Sequence, residues 1–233
     1  MVAVLLCAIS CYGTTVVVIR TPDGFLLAAD AKATRKGSNL PPQCKIHRYG
    51  KVFVAMAGIT TSAGIGLEPE QLARTAATTP GPILTQMEGF TIAARKYLLA
   101  QIESEKNSNR SYYERNYLGK SILDVTFAAI SSSNPEAIVE TFFVDGAGVL
   151  HDQRTPLGNH LLLVSGMTSA IKSYTQQNGG WYKQLGPDVA IKKFMDLEIA
   201  SKENAAGPPA SILKMDVGGA RWVEPGACPA ILK

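Results

Sequence analysis

Gly13-Thr14-Thr15-Val16-Val17-Val18-Ile19-Arg20-Thr21-Pro22-Asp23-Gly24-Phe25-Leu26-Leu27-Ala28-Ala29-Asp30 reads as a β-hairpin. Val16 to Ile19 is an unbroken apolar, β-branched run, the pattern of a strand buried on both faces. Pro22-Asp23-Gly24 supplies the turn. Proline fixes φ, the aspartate side chain caps the turn, and glycine accepts a positive φ. Phe25 to Ala29 is the return strand. Folding about Pro22 and Asp23 carries Asp30 back beside Thr14 and Thr15, so a hydroxyl and a carboxylate meet at one end of the hairpin. Lys32, Thr34 and Lys45 follow soon after.

Working outward, Lys32 to Gln43 is rich in Gly, Ser, Asn and Pro and reads as a loop. Cys44–Tyr49 and Lys51–Ala57 flank Gly50 as a second hairpin, which Gly58 ends. Glu68 to Ala77 reads as a short helix, and Pro80-Gly81-Pro82 breaks it. Ile83 to Lys106 is a longer helix, with Met87, Ala94, Leu98 and Ile102 on one buried face. Asn107 to Lys120 is a polar connection whose Tyr112, Tyr113 and Tyr117 are expected to pack against the domain. Strands return at Leu123–Ser131, Ala137–Val144, Gly148–His151 and Leu161–Gly166. Met167, Ile171 and Tyr174 mark a helix that Asn178-Gly179-Gly180 stops. Pro187-Asp188 starts another, reaching about Ser201. Ala210–Val217 and Ala220–Glu224 are the last strands. Blocks of strands separated by helix pairs predict an α+β protein: two antiparallel sheets packed together, with helix pairs on their outer faces.

The 233 residues show no shift in composition, which predicts one domain over residues 14–233. A net charge of +4, scattered without a basic run, argues against a nucleic-acid partner. No stretch reaches the ~20 apolar residues of a membrane span. The four cysteines form no CxxC, so zinc is not expected. Cys44 and Cys228 can pair only in an oxidising compartment. Residues 1–13 carry no charge. Val2 to Ile9 resembles the core of a secretory signal, with Cys11 and Gly13 as small residues at −3 and −1 before Thr14. A short propeptide or a first strand is the competing reading. Exported and cytoplasmic placement both stay open.

Gly13-Thr14-Thr15 with its Val-rich strand, the Asp-Gly turn, Ala28-Ala29-Asp30, Ala33-Thr34, Lys45 and Ala57-Gly58 together resemble the proteasome β-subunit branch of the N-terminal nucleophile hydrolases. The spacing is nearly the family's, with about one residue missing between Thr34 and Lys45. The resemblance implies an αββα sandwich and a threonine-type endopeptidase or amidase. Its nucleophile would be Thr14, freed by cleavage of Gly13–Thr14, with Asp30, Lys45 and Ser165 completing the catalytic set. It further implies that Thr34 binds an extended peptide and that backbone near Gly58 holds the oxyanion. Lys32 stands where arginine is frequent in the family, and Gly166 follows Ser165 as in the family. The substrate would be a peptide or protein, no metal or cofactor is called for, and a homo-oligomer is expected, with ring assembly left open.

The late family pattern of an acid followed three residues later by serine aligns here with Glu203 and Ala206. Ala206 cannot hydrogen-bond an amine. That departure keeps a non-catalytic scaffold of the same fold in play, beside a small-molecule amidase. A Ser165–His160–Asp152 triad lacks the G-x-S-x-G elbow. His47, His151 and His160 show no metal-ligand spacing, and no phosphate- or dinucleotide-binding glycine motif opens a helix.

Overall fold

The structure is a computed structural model that describes residues 14–32, 34–35, 38–59, 68–131, 134–201 and 206–230. The first hairpin forms as expected: β1 (Thr15–Thr21) and β2 (Gly24–Ala29) pair antiparallel, with Val16 opposite Ala29 and Thr21 opposite Gly24. Both strands lie in the middle of a five-stranded sheet. β10 (Leu162–Gly166) flanks β1 on one side, and β11 (Ser211–Asp216) flanks β2, with β12 (Gly219–Glu224) outside it. The second sheet runs β5 (Ile46–Tyr49), β6 (Val52–Gly58), β7 (Lys120–Ser131), β8 (Asn134–Val144) and β9 (Leu150–Pro156) in sequence order.

Alternation along each central strand builds four layers. Val16, Val18, Phe25 and Leu27 pack between the sheets with Phe53, Ala55, Ala57 and Ala128. Their neighbours Val17, Ile19, Leu26 and Ala28 face outward against α4 (Ser169–Gln177), α5 (Trp181–Leu185) and α6 (Pro187–Ile199), where Ile171, Trp181, Ile191 and Phe194 meet them. On the far side, Val54, Met56, Val125 and Phe127 pack against α1 (Pro69–Thr78), α2 (Ile83–Ser108) and α3 (Arg110–Asn116). Strands buried on both faces need apolar residues at every position, which is why these read as continuous runs. Alanines on the inner face let the two sheets approach. Each fully buried Val, Leu or Phe contributes ~1.5–3 kcal/mol.

Four segments differ from the sequence expectation. The polar connection 107–120 contains α3, capped by the Asn109 side chain, which accepts from the Tyr112 N–H at 3.1 Å. Tyr113 and Tyr117 are buried in the core beneath it, as expected of packing tyrosines. The Lys32–Gln43 loop carries a two-residue ladder, β3 (Thr34–Arg35) with β4 (Ser38–Asn39). β9 runs on past His151 to Pro156 because an edge strand tolerates Asp152-Gln153-Arg154-Thr155 on its open side. α5 is a single five-residue helix after Gly180, too short to show a period. Among the described residues no helix is long and apolar enough to cross a membrane.

Cys44 and Cys228 are joined in a disulfide spanning 184 residues of sequence. It ties the segment after β12 to the start of β5, and so one sheet to the other. Long loops lose much chain entropy when closed, so Cys44→Ser or Cys228→Ser is expected to cost ~2–4 kcal/mol, a Tm drop of roughly 5–15 °C. Thermal denaturation with and without reductant checks this. A Tm that ignores both the substitution and the reductant would show that the bond contributes nothing.

Candidate active site

The hairpin geometry delivers its promise at the Thr14 end. Asp30 follows β2 directly, and its N–H donates to the Thr15 carbonyl at 3.3 Å. Its carboxylate turns inward and is fully buried. Oδ1 accepts the Thr15 N–H at 2.9 Å, and Oδ2 accepts the Lys32 N–H at 3.0 Å and the Gly207 N–H at 3.1 Å. Lys45, one residue before β5, reaches across so that its Nζ lies 3.1 Å from both Asp30 oxygens. The same Nζ donates to Thr14 Oγ1 at 2.9 Å. Carboxylate, ammonium and hydroxyl therefore form one line of contacts, and the Lys45 side chain is 15% exposed.

Burial raises the Asp30 carboxyl above its ordinary value, while Lys45 and the amides of Thr15 and Gly207 pull it back. A raised folded-state value means that the native protein holds this proton more tightly than the unfolded chain does. Stability from this group is present at low pH and falls as pH rises through the raised value. Ionising this buried carboxyl thus comes at some cost to the fold, which the four donors around it offset.

The backbone of Thr14 and Thr15 is held from the other side by the residues after β10. Met167 N–H donates to the Thr14 carbonyl at 3.1 Å, and Thr15 Oγ1 donates to the Met167 carbonyl at 2.7 Å. Ser165 is buried and stands opposite Val16. Gly166, opposite Thr15, has φ +76°, and a Cβ there would lie 1.9 Å from the Thr14 carbonyl oxygen. Only glycine lets the two backbones approach so closely.

The structure thus brings Thr14, Asp30, Lys45, Ser165 and Gly166 to one end of the sandwich. Lys32 contributes its backbone N–H and packs its stem over Gly207, where a Cβ would meet Lys32 Cβ at 2.9 Å. Gly58 ends β6 with φ +105° and lies against Ile122, whose carbonyl oxygen would be 2.3 Å from a Cβ at that position. The preceding residue, Ala57, reaches Gly166: its Cβ would be 2.7 Å from a Cβ there. Thr34 is described through its backbone alone, in the β3–β4 ladder. Glu203, and Gly13 with the rest of the apolar prefix, lie outside the described residues. Ala206 is buried, and its neighbour Gly207 reaches Asp30 through the backbone.

Sequence reasoning missed Gly207, Met167 and Asp124, whose Oδ2 accepts the Gly166 N–H at 2.9 Å. The only signal in the sequence was position: Gly207 follows the aligned Ala206, and Met167 follows Ser165-Gly166. Asp152, the acid of the competing triad, is ion-paired with Arg95 in the other sheet from Ser165. Among the described residues no group of three or more His, Cys, Asp or Glu could hold a metal ion.

No family model matches the chain, and no curated protein matches it in sequence. A solved structure does match in fold: the Anbu (Gly-1) mutant from Hyphomicrobium sp. strain MC1, with a TM-score of 0.56 at 14% sequence identity. The match covers 91% of this chain and 87% of that one. Anbu is a proteasome-related bacterial protein of the N-terminal nucleophile type. With two antiparallel sheets face to face and helices on both outer sides, the chain has the α+β fold of the proteasome-like N-terminal nucleophile hydrolases.

Proposed function

We infer that the chain is a threonine-type peptidase in which Thr14, freed by cleavage of Gly13–Thr14, is the nucleophile and its own α-amine the base. The observation that carries this reading is the contact of Lys45 Nζ with Thr14 Oγ1 at 2.9 Å, backed by Asp30. A cation this close to the hydroxyl favours the alkoxide that develops as the proton leaves. An α-amine titrates near ~7.7–8.0, so at neutral pH a useful fraction is neutral and can take that proton.

The bonds balance over two steps. Thr14 Oγ1 gives its proton to the amine and bonds to the substrate carbonyl carbon, and the carbonyl electrons move to oxygen. Backbone near Gly58 holds that oxyanion. The oxyanion pair then re-forms the carbonyl as the carbon–nitrogen bond breaks, the leaving amine takes the proton from the α-ammonium, and an ester to Thr14 remains. Water gives its proton to the α-amine, attacks the ester carbon and releases the acid, and Thr14 Oγ1 recovers its proton. Ser165 supports the amine, and Thr34 pairs its backbone with an extended substrate strand. Substrates are peptides or proteins, and residues 14–233 act as one domain.

The Cys44–Cys228 disulfide, together with the apolar prefix, supports work in an oxidising compartment. Intact-mass measurement of the purified protein, alkylated without reduction, reads both points. The expected species starts at Thr14 and leaves Cys44 and Cys228 unmodified. It also hydrolyses peptide amides. A stable chain that keeps residues 1–13 and cleaves no peptide or amide would overturn the enzyme reading in favour of a non-catalytic scaffold. Activity on small amides alone would leave a small-molecule amidase.

A further inference from the structure

Asp124 lies on β7, on the face turned toward the first sheet. Its neighbours Leu123, Val125 and Phe127 point the other way, into the core beneath α2. It is opposite Ala57 of β6 and Thr141 of β8, and it is 7% exposed. A carboxylate between two sheets is costly unless its oxygens are satisfied. Oδ1 accepts from Ser121 Oγ at 3.0 Å. Oδ2 leaves its own sheet and accepts the Gly166 N–H at 2.9 Å.

That bond is placed where the two sheets meet the candidate nucleophile. Gly166 is the last residue of β10, opposite Thr15, and the next residue, Met167, grips Thr14 and Thr15 through two hydrogen bonds. Asp124 makes no contact with the Thr14 hydroxyl in this chain of bonds. It acts on Gly166, Gly166 carries Met167, and Met167 carries Thr14. Lys45 approaches Thr14 from the second-sheet side, just before β5. The position of Thr14 relative to Lys45 is therefore set by how firmly the first sheet is held against the second at this point. A carboxylate accepting a backbone N–H is a charge-assisted bond, stronger and shorter than a neutral one.

We propose that Asp124 is a positioning residue for Thr14: by holding the Gly166 N–H across the gap between the sheets, it fixes the nucleophile within reach of Lys45. The inference rests on the reading of Thr14 as nucleophile. A displacement of ~1 Å at a reacting atom costs on the order of 10²-fold in rate. Asp124→Ala is accordingly expected to lower kcat by ~10–100-fold with KM changed less than about threefold. Asp124→Asn keeps an acceptor for Gly166, and its amide can face Ser121 Oγ, which accepts as readily as it donates. It is expected to restore kcat to within a few-fold of the unsubstituted protein, which separates the hydrogen bond from the charge.

The measurements are steady-state hydrolysis of a peptide amide well below each variant's Tm, with Thr14→Ala as the parallel control. If Thr14→Ala is inactive while Asp124→Ala keeps full kcat, this inference fails and the nucleophile reading stands. If Thr14→Ala stays active, the nucleophile reading itself fails. Equal losses in Asp124→Ala and Asp124→Asn would also overturn the role of the hydrogen bond. A crystal structure of Asp124→Ala gives a readout independent of turnover. The Thr14 Oγ1–Lys45 Nζ separation is expected to open beyond hydrogen-bond reach, and an unchanged 2.9 Å contact would refute the proposal.

Discussion

Thr14→Ala is expected to reduce peptide hydrolysis by at least ~10³-fold while the chain folds normally. The substitution removes only the hydroxyl and a methyl group. Asp30 keeps both contacts with Lys45 and its three backbone donors, so no buried charge is left unpaired. The stability loss should stay near ~1 kcal/mol, or about 2–4 °C in Tm. Thr14→Ser retains the hydroxyl and should keep activity within about tenfold. Hydrolysis rates and calorimetry on the three proteins check this. Comparable turnover by Thr14→Ala would move the chemistry elsewhere in the chain. The same variant separates two routes to the free amine. If the hydroxyl performs its own cleavage, Thr14→Ala retains residues 1–13. If a separate peptidase removes them, the alanine chain is shortened all the same.

Gly166→Ala should be the most damaging single methyl group that can be added near the site. At φ +76° an alanine is strained by ~1–2 kcal/mol whatever surrounds it. Here the new Cβ also meets the Thr14 carbonyl oxygen at 1.9 Å and Ala57 Cβ at 2.7 Å. Neither neighbour can give way cheaply. The Thr14 carbonyl accepts from Met167, and Ala57 sits in the ladder opposite Asp124. The strand must therefore separate from β1 or from the second sheet, and a loss of ~3 kcal/mol or more follows. For a chain of this size that is a Tm drop of roughly 6–12 °C. Gly50→Ala is the matched control, since φ is +63° and no atom lies within 4 Å of the added carbon. Thermal melts of the two variants decide the matter: equal shifts would mean that the contact at Gly166 relaxes without cost.

How far these features could be read from the chain depended on distance along it. The pairing of Thr14–Thr15 with Asp30 was legible because one turn fixes it: Pro22-Asp23-Gly24 sets the register, and the rest is counting. The layered fold was legible because strands buried on both faces leave apolar runs that nothing else explains. Lys45 entered only through resemblance, since no local rule brings it to Thr14. Asp124, Met167 and Gly207 were not legible. Their bonds to the site join residues 42, 152 and 177 positions apart, and two of them act through backbone groups that every residue carries. α3 and α5 escaped for a different reason: seven and five residues are too few to establish a period. The far half of β9 was hidden by its polarity, which an edge strand permits and a sequence pattern reads as loop.

The disulfide divides the chain topologically. Cys44 and Cys228 close a ring, and everything from Lys45 to Ala227 belongs to it, including both flanking strands, β10 and β11. The β1–β2 hairpin does not. Thr14 and Asp30 therefore sit on an open arm that fills the gap between two strands of a closed loop, while Lys45 stands at the clasp. A single cut anywhere within the ring leaves all its pieces covalently joined. A cut between Ala31 and Gln43 detaches Thr14 and Asp30 from Lys45. The ring thus stays in one covalent piece after any single nick, whereas the arm that carries Thr14 and Asp30 is joined to Lys45 by backbone alone.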